Sequence, residues 1–165
     1  MDTKNLVLIS FLSALLIISK ELLSALANVE LVTFLLMIYA TNMKLKDSLM
    51  IAFIFVFMQI PLYGFGDWTL VYFVVWPVLV WGCYKMRNHL NTVYKMSIVS
   101  GLFGLCFGLF FSIPYLLVSI DYAWIYFLRG LVYDVIHCLS NVLIMLILYD
   151  MVNKQFKKLI AVFKI

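Results

Sequence analysis

The stretch "RGLVYDVIHCLSN", residues 129–141, places Arg129, Tyr133, Asp134, His137 and Asn141 inside a run of otherwise apolar residues. At about 100° per residue, Arg129, Tyr133, His137, Gly130, Asn141 and Asp134 fall within an arc of roughly 140° on one helix face. Polar groups facing hydrocarbon cost several kcal/mol each, so this face must turn toward protein or a wet cavity. Three chemistries fit a carboxylate and an imidazole three residues apart beside an arginine. They are a structural pair that fixes helix packing, a proton relay, and a pocket wall with Arg129 at its mouth. A relay through a membrane normally needs several carboxylates at depth, and the chain has few. The reading we adopt is a pocket wall at Arg129 and Tyr133, above a structural polar lock of Asp134, His137 and Asn141.

Two further segments offer facing surfaces. Lys20, Ser24 and Asn28 recur at i+4, and Glu21 and Glu30 flank the following turn. Either an interfacial salt-bridge cluster or a binding surface would use such a set. In "PLYGFGDWTLVYFVVWP", residues 61–77, Gly64 and Gly66 permit a tight turn, and Trp68, Tyr72 and Trp76 share an i+4 stripe beside Tyr63 and Phe65. An aromatic belt at a membrane interface would use the same residues. An aromatic stripe opposite a polar one also holds small molecules with ring systems. Tyr115 and Trp124 join this aromatic set.

The elements that position these residues must be membrane helices. Of 165 residues, 66% are hydrophobic and 12% charged, against roughly half and a quarter in soluble domains. A span needs about 20 apolar residues. Six segments approach this, at 6–26, 29–43, 47–63, 68–86, 96–119 and 122–150. The expected fold is therefore an all-α membrane protein, a single domain over 1–165 with six transmembrane helices. The apolar N-terminal stretch reads as the first span, not as a removed signal peptide. With the N-terminus in the cytoplasm, Lys4, Lys44, Lys46, Lys85, Arg87, Lys95, Lys154, Lys157, Lys158 and Lys164 lie inside. That is ten of the 12 cations, and both termini are then cytoplasmic. The remaining two, Lys20 and Arg129, fall near the outer ends of the first and sixth spans. This distribution makes the net charge of +4 a matter of membrane orientation, with no nucleic-acid partner expected. Cys83, Cys106 and Cys138 form neither a disulfide framework nor a metal-ligand spacing. Ser97, Gly101, Gly104 and Gly108, with Ser112, form a small-residue ridge of the kind that lets membrane helices approach closely. Ser10 and Ala14 form a small-xxx-small pair in the first span.

Several of these stretches together resemble the substrate-binding S component of energy-coupling factor (ECF) vitamin transporters. "NVELVT" (28–33) is similar to an Asn-x-x-x-Val-Thr signature of one branch, and "YGFGDW" (63–68) followed by Trp76 to its outer aromatic turn. "SGLFGLCFGLFFSIPYL" (100–116) resembles its Gly-rich fifth helix. "GLVYDVIHCLSN" (130–141) resembles its Gly-x-x-Phe-Asp-x-x-His-x-x-x-Asn element, with Tyr133 in place of Phe. The resemblance implies a bacterial plasma-membrane protein that captures a vitamin or related micronutrient on its outer side. It then topples against a transmembrane coupling subunit, driven by two cytoplasmic ATPases. The implied binding set is Asn28, Glu30, Tyr63, Trp68, Tyr72, Trp76, Tyr115, Trp124, Arg129 and Tyr133. Ser10 and Ala14 stand where the family meets its coupling subunit through Ala-x-x-x-Ala. No catalysis, metal or cofactor is implied, the vitamin being the substrate. Similarity to cobalamin S components points to cobalamin or a related corrinoid, with pantothenate, a pterin or a queuosine precursor as alternatives. The rival class is a stand-alone membrane enzyme using Asp134 and His137.

Overall fold

A computed structural model describes residues 3–163, all helices and connecting turns. The helices are α1 (Thr3–Leu22), α2 (Val32–Asn42), α3 (Leu45–Tyr63), α4 (Asp67–Lys85), α5 (Val93–Leu105), α6 (Phe107–Ser112) and α7 (Ile120–Phe163), with a 3-10 turn at Ile113–Leu117. Five segments are long and apolar enough to cross a membrane: α1, α3, α4, the α5–α6 run through Leu117, and α7. Apolar side chains such as Leu22, Leu117 and Ile120 stand exposed on the outer surface, as a lipid-facing bundle requires. The chain is a membrane protein.

The second expected span differs. α2 has 11 residues, about 16 Å of helix against a hydrocarbon core of about 30 Å. Its start is delayed to Val32 because the residues before it are committed elsewhere. The Glu30 carboxylate accepts from the Thr33 N–H at 2.9 Å, closing the helix N-terminus, and Asn28 sits in left-handed backbone at φ 57°. Almost every α2 side chain from Val32 to Ala40 is buried, so α2 is the centre of the core rather than a lipid-facing element.

The remaining boundaries follow from local chemistry. Gly64, at φ 80°, ends α3, and its N–H returns to the Ile60 carbonyl at 2.8 Å. α4 opens three residues later, at Asp67, where the Thr69 hydroxyl accepts from the Gly66 N–H at 3.1 Å. The fifth expected span is interrupted at Cys106. The Gly108 N–H leaves the helical ladder and donates to Asp134 Oδ1 at 2.8 Å. α7 runs 44 residues, beyond the expected limit at 150, because its inward stripe continues through Phe156 and Ile160. Phe156 stacks on Tyr39 of α2 at 5.2 Å, and Asn153 accepts from Asn42 Nδ2 at 2.9 Å.

The small-residue ridge of α5 and α6 lies directly on α7. A Cβ at Gly104 would stand 2.9 Å from the His137 carbonyl and the Cys138 amide, and one at Gly101 2.6 Å from Val142 Cγ2. At Gly108 it would overlap the Asp134 carboxylate. Only glycine permits this approach, so the ridge fixes how near α7 comes and where its polar face stands.

Short polar contacts orient the two ends of the bundle. Asn5 donates to Asp47 at 3.2 Å and Asn42 to Asn153 at 2.9 Å, gathering the starts of α1 and α3 with the ends of α2 and α7. Lys4, Lys44, Lys46, Lys85, Arg87 and Lys95 lie at this end by chain order, with the lysines of late α7. Lys164 falls outside the described residues. At the other end, Tyr63 donates to Glu21 and Tyr115 to Asp67, each at 2.5 Å.

Candidate functional site

The end of the bundle opposite the cation-rich one, where Lys20 and Arg129 are the cations, holds three adjoining recesses. The largest, about 490 Å³, lies between the 23–31 loop, α6 and the start of α7. Its walls include Asn28, Phe107, Phe111, Tyr126, Arg129 and Tyr133, with Gly108 and Asp134 also lining it. The second, about 260 Å³, shares Asn28 and Phe107 with the first and continues toward α3 and α4 past Glu30, Tyr63, Tyr72, Trp76 and His137. The third, about 240 Å³, shares Phe111 and Tyr126 with the first and reaches Asp67, Trp68 and Tyr115.

The wall between the first two recesses is made by Asn28. Its side-chain N–H donates to the Tyr133 carbonyl at 3.0 Å, and its carbonyl accepts from the Ser140 hydroxyl at 2.9 Å. Left-handed backbone at this position suits Asn better than most residues. Glu30 is held as firmly. One oxygen serves the α2 N-terminus, and the other lies 3.1 Å from His137 Nε2. The loop before α2 is thus tied to α7 at two levels, and the same residues face the cavities.

The polar face of α7 divides by depth. Arg129 is exposed at the rim of the largest recess and forms no ion pair among the described residues. Asp134, His137 and Asn141 are each 2% exposed. Asn141 donates to the Ser100 carbonyl at 3.2 Å, bonding α7 to α5. His137 packs edge-on against the Phe107 ring at 4.8 Å while pairing with Glu30. Asp134 and His137 take different partners and line different recesses, the first and the second. The i,i+3 spacing therefore does not produce a bonded carboxylate–imidazole couple here.

The aromatic stripe is also divided. Trp68, Tyr72 and Trp76 follow one another edge-to-face at 5.3 and 5.5 Å. Tyr72 and Trp76 line the second recess, Trp68 the third. Tyr63 lies over Lys20, whose ammonium is 3.5 Å from the ring centroid. Tyr115 packs on Tyr126 at 4.4 Å in the third recess. Trp124 lines none of the three; it is 58% exposed and stacks on Phe127 at 5.7 Å. Ser10 and Ala14 are exposed on the outer face of α1, opposite its buried stripe of Leu8, Leu12 and Leu16.

Four aromatic residues of the first recess escaped the sequence reading. Tyr122 and Tyr126 stand at i−7 and i−3 from Arg129, one stripe on α7 that the helical period displays. Phe107 and Phe111 are an i+4 pair flanking the ridge, hidden in a segment where Phe is common.

Comparison with known proteins returned no matching family model, no matching curated protein and no matching solved structure.

Proposed function

We propose that this chain is the substrate-binding S component of an ECF-type importer in a bacterial plasma membrane. The observation that carries the reading is the cavity group at the end of the bundle opposite the cation-rich one. Asn28, Glu30, Tyr72, Trp76, Arg129 and Tyr133 come from three separate segments of the chain and meet around two adjoining recesses. With the lysine-rich end cytoplasmic, those recesses open outward. α2 and its preceding loop then form a sixth, shortened membrane element, and both termini face inside.

Recess volumes of about 490 and 260 Å³ suit a drug-sized vitamin. A corrinoid is several times larger than such ligands, so the volumes favour the smaller substrates of the set. The exposed stripe of Ser10 and Ala14 supplies the face for the coupling subunit, with small residues that let another helix approach. Separate partners of Asp134 and His137 weigh against the stand-alone enzyme. Mass spectrometry of the small molecule that co-purifies with the detergent-extracted protein tests the reading. A vitamin-like compound, lost from the Arg129→Ala protein, is the expected result. An empty wild-type protein that also binds no vitamin in calorimetry would contradict it.

A further inference from the structure

A groove of about 270 Å³ runs down the flank of the bundle, between α4 and the segment of α6 and the 3-10 turn. Val71 and Val75 are buried at its floor. Leu70, Val74 and Val78, an i+4 stripe, form one bank, and Phe110, Ile113 and Pro114 the other, so every lining residue is apolar. Leu70, Val74, Val78 and Ile113 are each at least half exposed, which leaves the groove open along its side. Because α4 is long and apolar enough to cross a membrane, that open side faces hydrocarbon. Val71 and Pro114 also line the third recess, so the groove leads into the place where Asp67, Trp68, Tyr115 and Tyr126 meet. Asp67 is exposed there, and its carboxylate accepts from the Tyr115 hydroxyl and the Trp68 N–H.

We propose that this groove holds one acyl chain of a phospholipid, and that the lipid is an amine-headed one whose ammonium sits at Asp67. Three features give the occupant its class. The groove follows α4 for eight residues, about 12 Å, within the roughly 15 Å depth of one leaflet's hydrocarbon. An α-helix of that length, 10–12 Å across, would fill about 1,000 Å³ or more, several times the volume of the groove. A single hydrocarbon chain is the narrower fit. The charge then selects the headgroup. The two stretches that build the groove and its mouth, 61–80 and 106–128, carry Asp67 and Asp121 and no Lys or Arg. An ammonium gains from the Asp67 carboxylate and the neighbouring aromatic rings. An anionic headgroup meets two carboxylates and no cation in these stretches. The inference requires only that α4 spans a membrane, so it stands or falls separately from what the recesses at the end of the bundle bind.

The purified full-length protein, stripped of lipid in mild detergent, is titrated with dioleoyl-phosphatidylethanolamine or dioleoyl-phosphatidylglycerol. Native mass spectrometry counts the lipid bound. The two lipids share their acyl chains and differ in headgroup charge. Asp67→Asn keeps an oxygen for Trp68 and Tyr115 but removes the charge. Val74→Trp fills the groove from a position that is 62% exposed and outside the core. Wild type should hold one phosphatidylethanolamine about three- to fivefold more tightly than phosphatidylglycerol, the scale of an exposed charge pair. Asp67→Asn should bring the two lipids level, and Val74→Trp should weaken both at least fivefold. Phosphatidylglycerol bound as tightly as phosphatidylethanolamine by wild type overturns the proposal, as does a preference unchanged in Asp67→Asn or lipid binding unchanged in Val74→Trp. If Val74→Trp keeps its lipid but sheds polypeptides that co-purify with wild type, the groove is a helix-docking face and the proposal fails. Wild type alone decides the headgroup if Asp67→Asn does not purify, and Val78→Trp stands in for Val74→Trp.

Discussion

Gly104→Ala tests the packing that sets the site. The added methyl would lie 2.9 Å from three backbone atoms, the His137 carbon and oxygen and the Cys138 nitrogen. Backbone atoms of a long helix cannot swing aside as a side-chain tip can, so α5 and α7 must separate along the ridge. Overpacking of this kind costs about 1–3 kcal/mol. Backbone contact on three atoms puts the cost near the upper end, about 3 kcal/mol, and the better helix propensity of Ala returns about 0.5–1 kcal/mol. The net loss is about 2 kcal/mol, or about 4–8 °C in Tm for a chain of this length. Gly82 is the internal control, since a Cβ there meets nothing within 4 Å. Gly82→Ala keeps only the propensity gain and should raise Tm by about 1–4 °C. Thermal unfolding in one detergent, followed by reaction of a thiol dye with Cys83, Cys106 and Cys138 as they become exposed, measures both variants. A Gly104→Ala protein melting at or above wild type would refute the claim that the ridge sets the α5–α7 distance.

Other outcomes concern binding, coupling and orientation. Arg129→Lys keeps the charge but loses the planar fork, and should weaken the native ligand at least tenfold, the loss of a charge-assisted hydrogen bond of about 1.5–3 kcal/mol. Equal affinity in calorimetry would make Arg129 an interfacial anchor. Ala14→Trp places bulk on the exposed face of α1. Ligand binding to the isolated protein should be unchanged while uptake into cells falls; unchanged uptake would move the coupling face elsewhere. Cysteines at Asp121 and Asn91, both exposed and at opposite ends of the bundle, should react with a membrane-impermeant label from outside and inside respectively. The reverse pattern would invert the topology.

Elements with a strong local signal were legible in the sequence, and those set by distant partners were not. The i+3 and i+4 spacing of Gly101, Gly104 and Gly108 marks a helix contact whatever the partner, and that ridge meets α7. The helical period likewise groups Arg129, Tyr133 and Asp134 on the wall of one recess. The break at Cys106 was invisible because it depends on Asp134, 26 residues beyond Gly108, capturing a backbone N–H. α2 reads as a longer apolar run because the demands on Asn28 and Glu30 come from Tyr133 and His137, more than 100 residues away. The end of α7 was set too early for a different reason. Lys154, Lys157 and Lys158 signal the membrane boundary, but Phe156 and Ile160 keep the helix packed beyond it.

The central claim, a substrate-binding subunit of a larger importer, is tested most directly by its company. An affinity-tagged chain, expressed at native level and extracted from its own membrane in mild detergent, should retain three other polypeptides: one multi-pass membrane protein and two ATPases bearing nucleotide-binding loops. Ala14→Trp should lose them while keeping the bound small molecule. Recovery of the wild-type chain alone, with ligand bound but no ATPase from any mild extraction, would contradict the account.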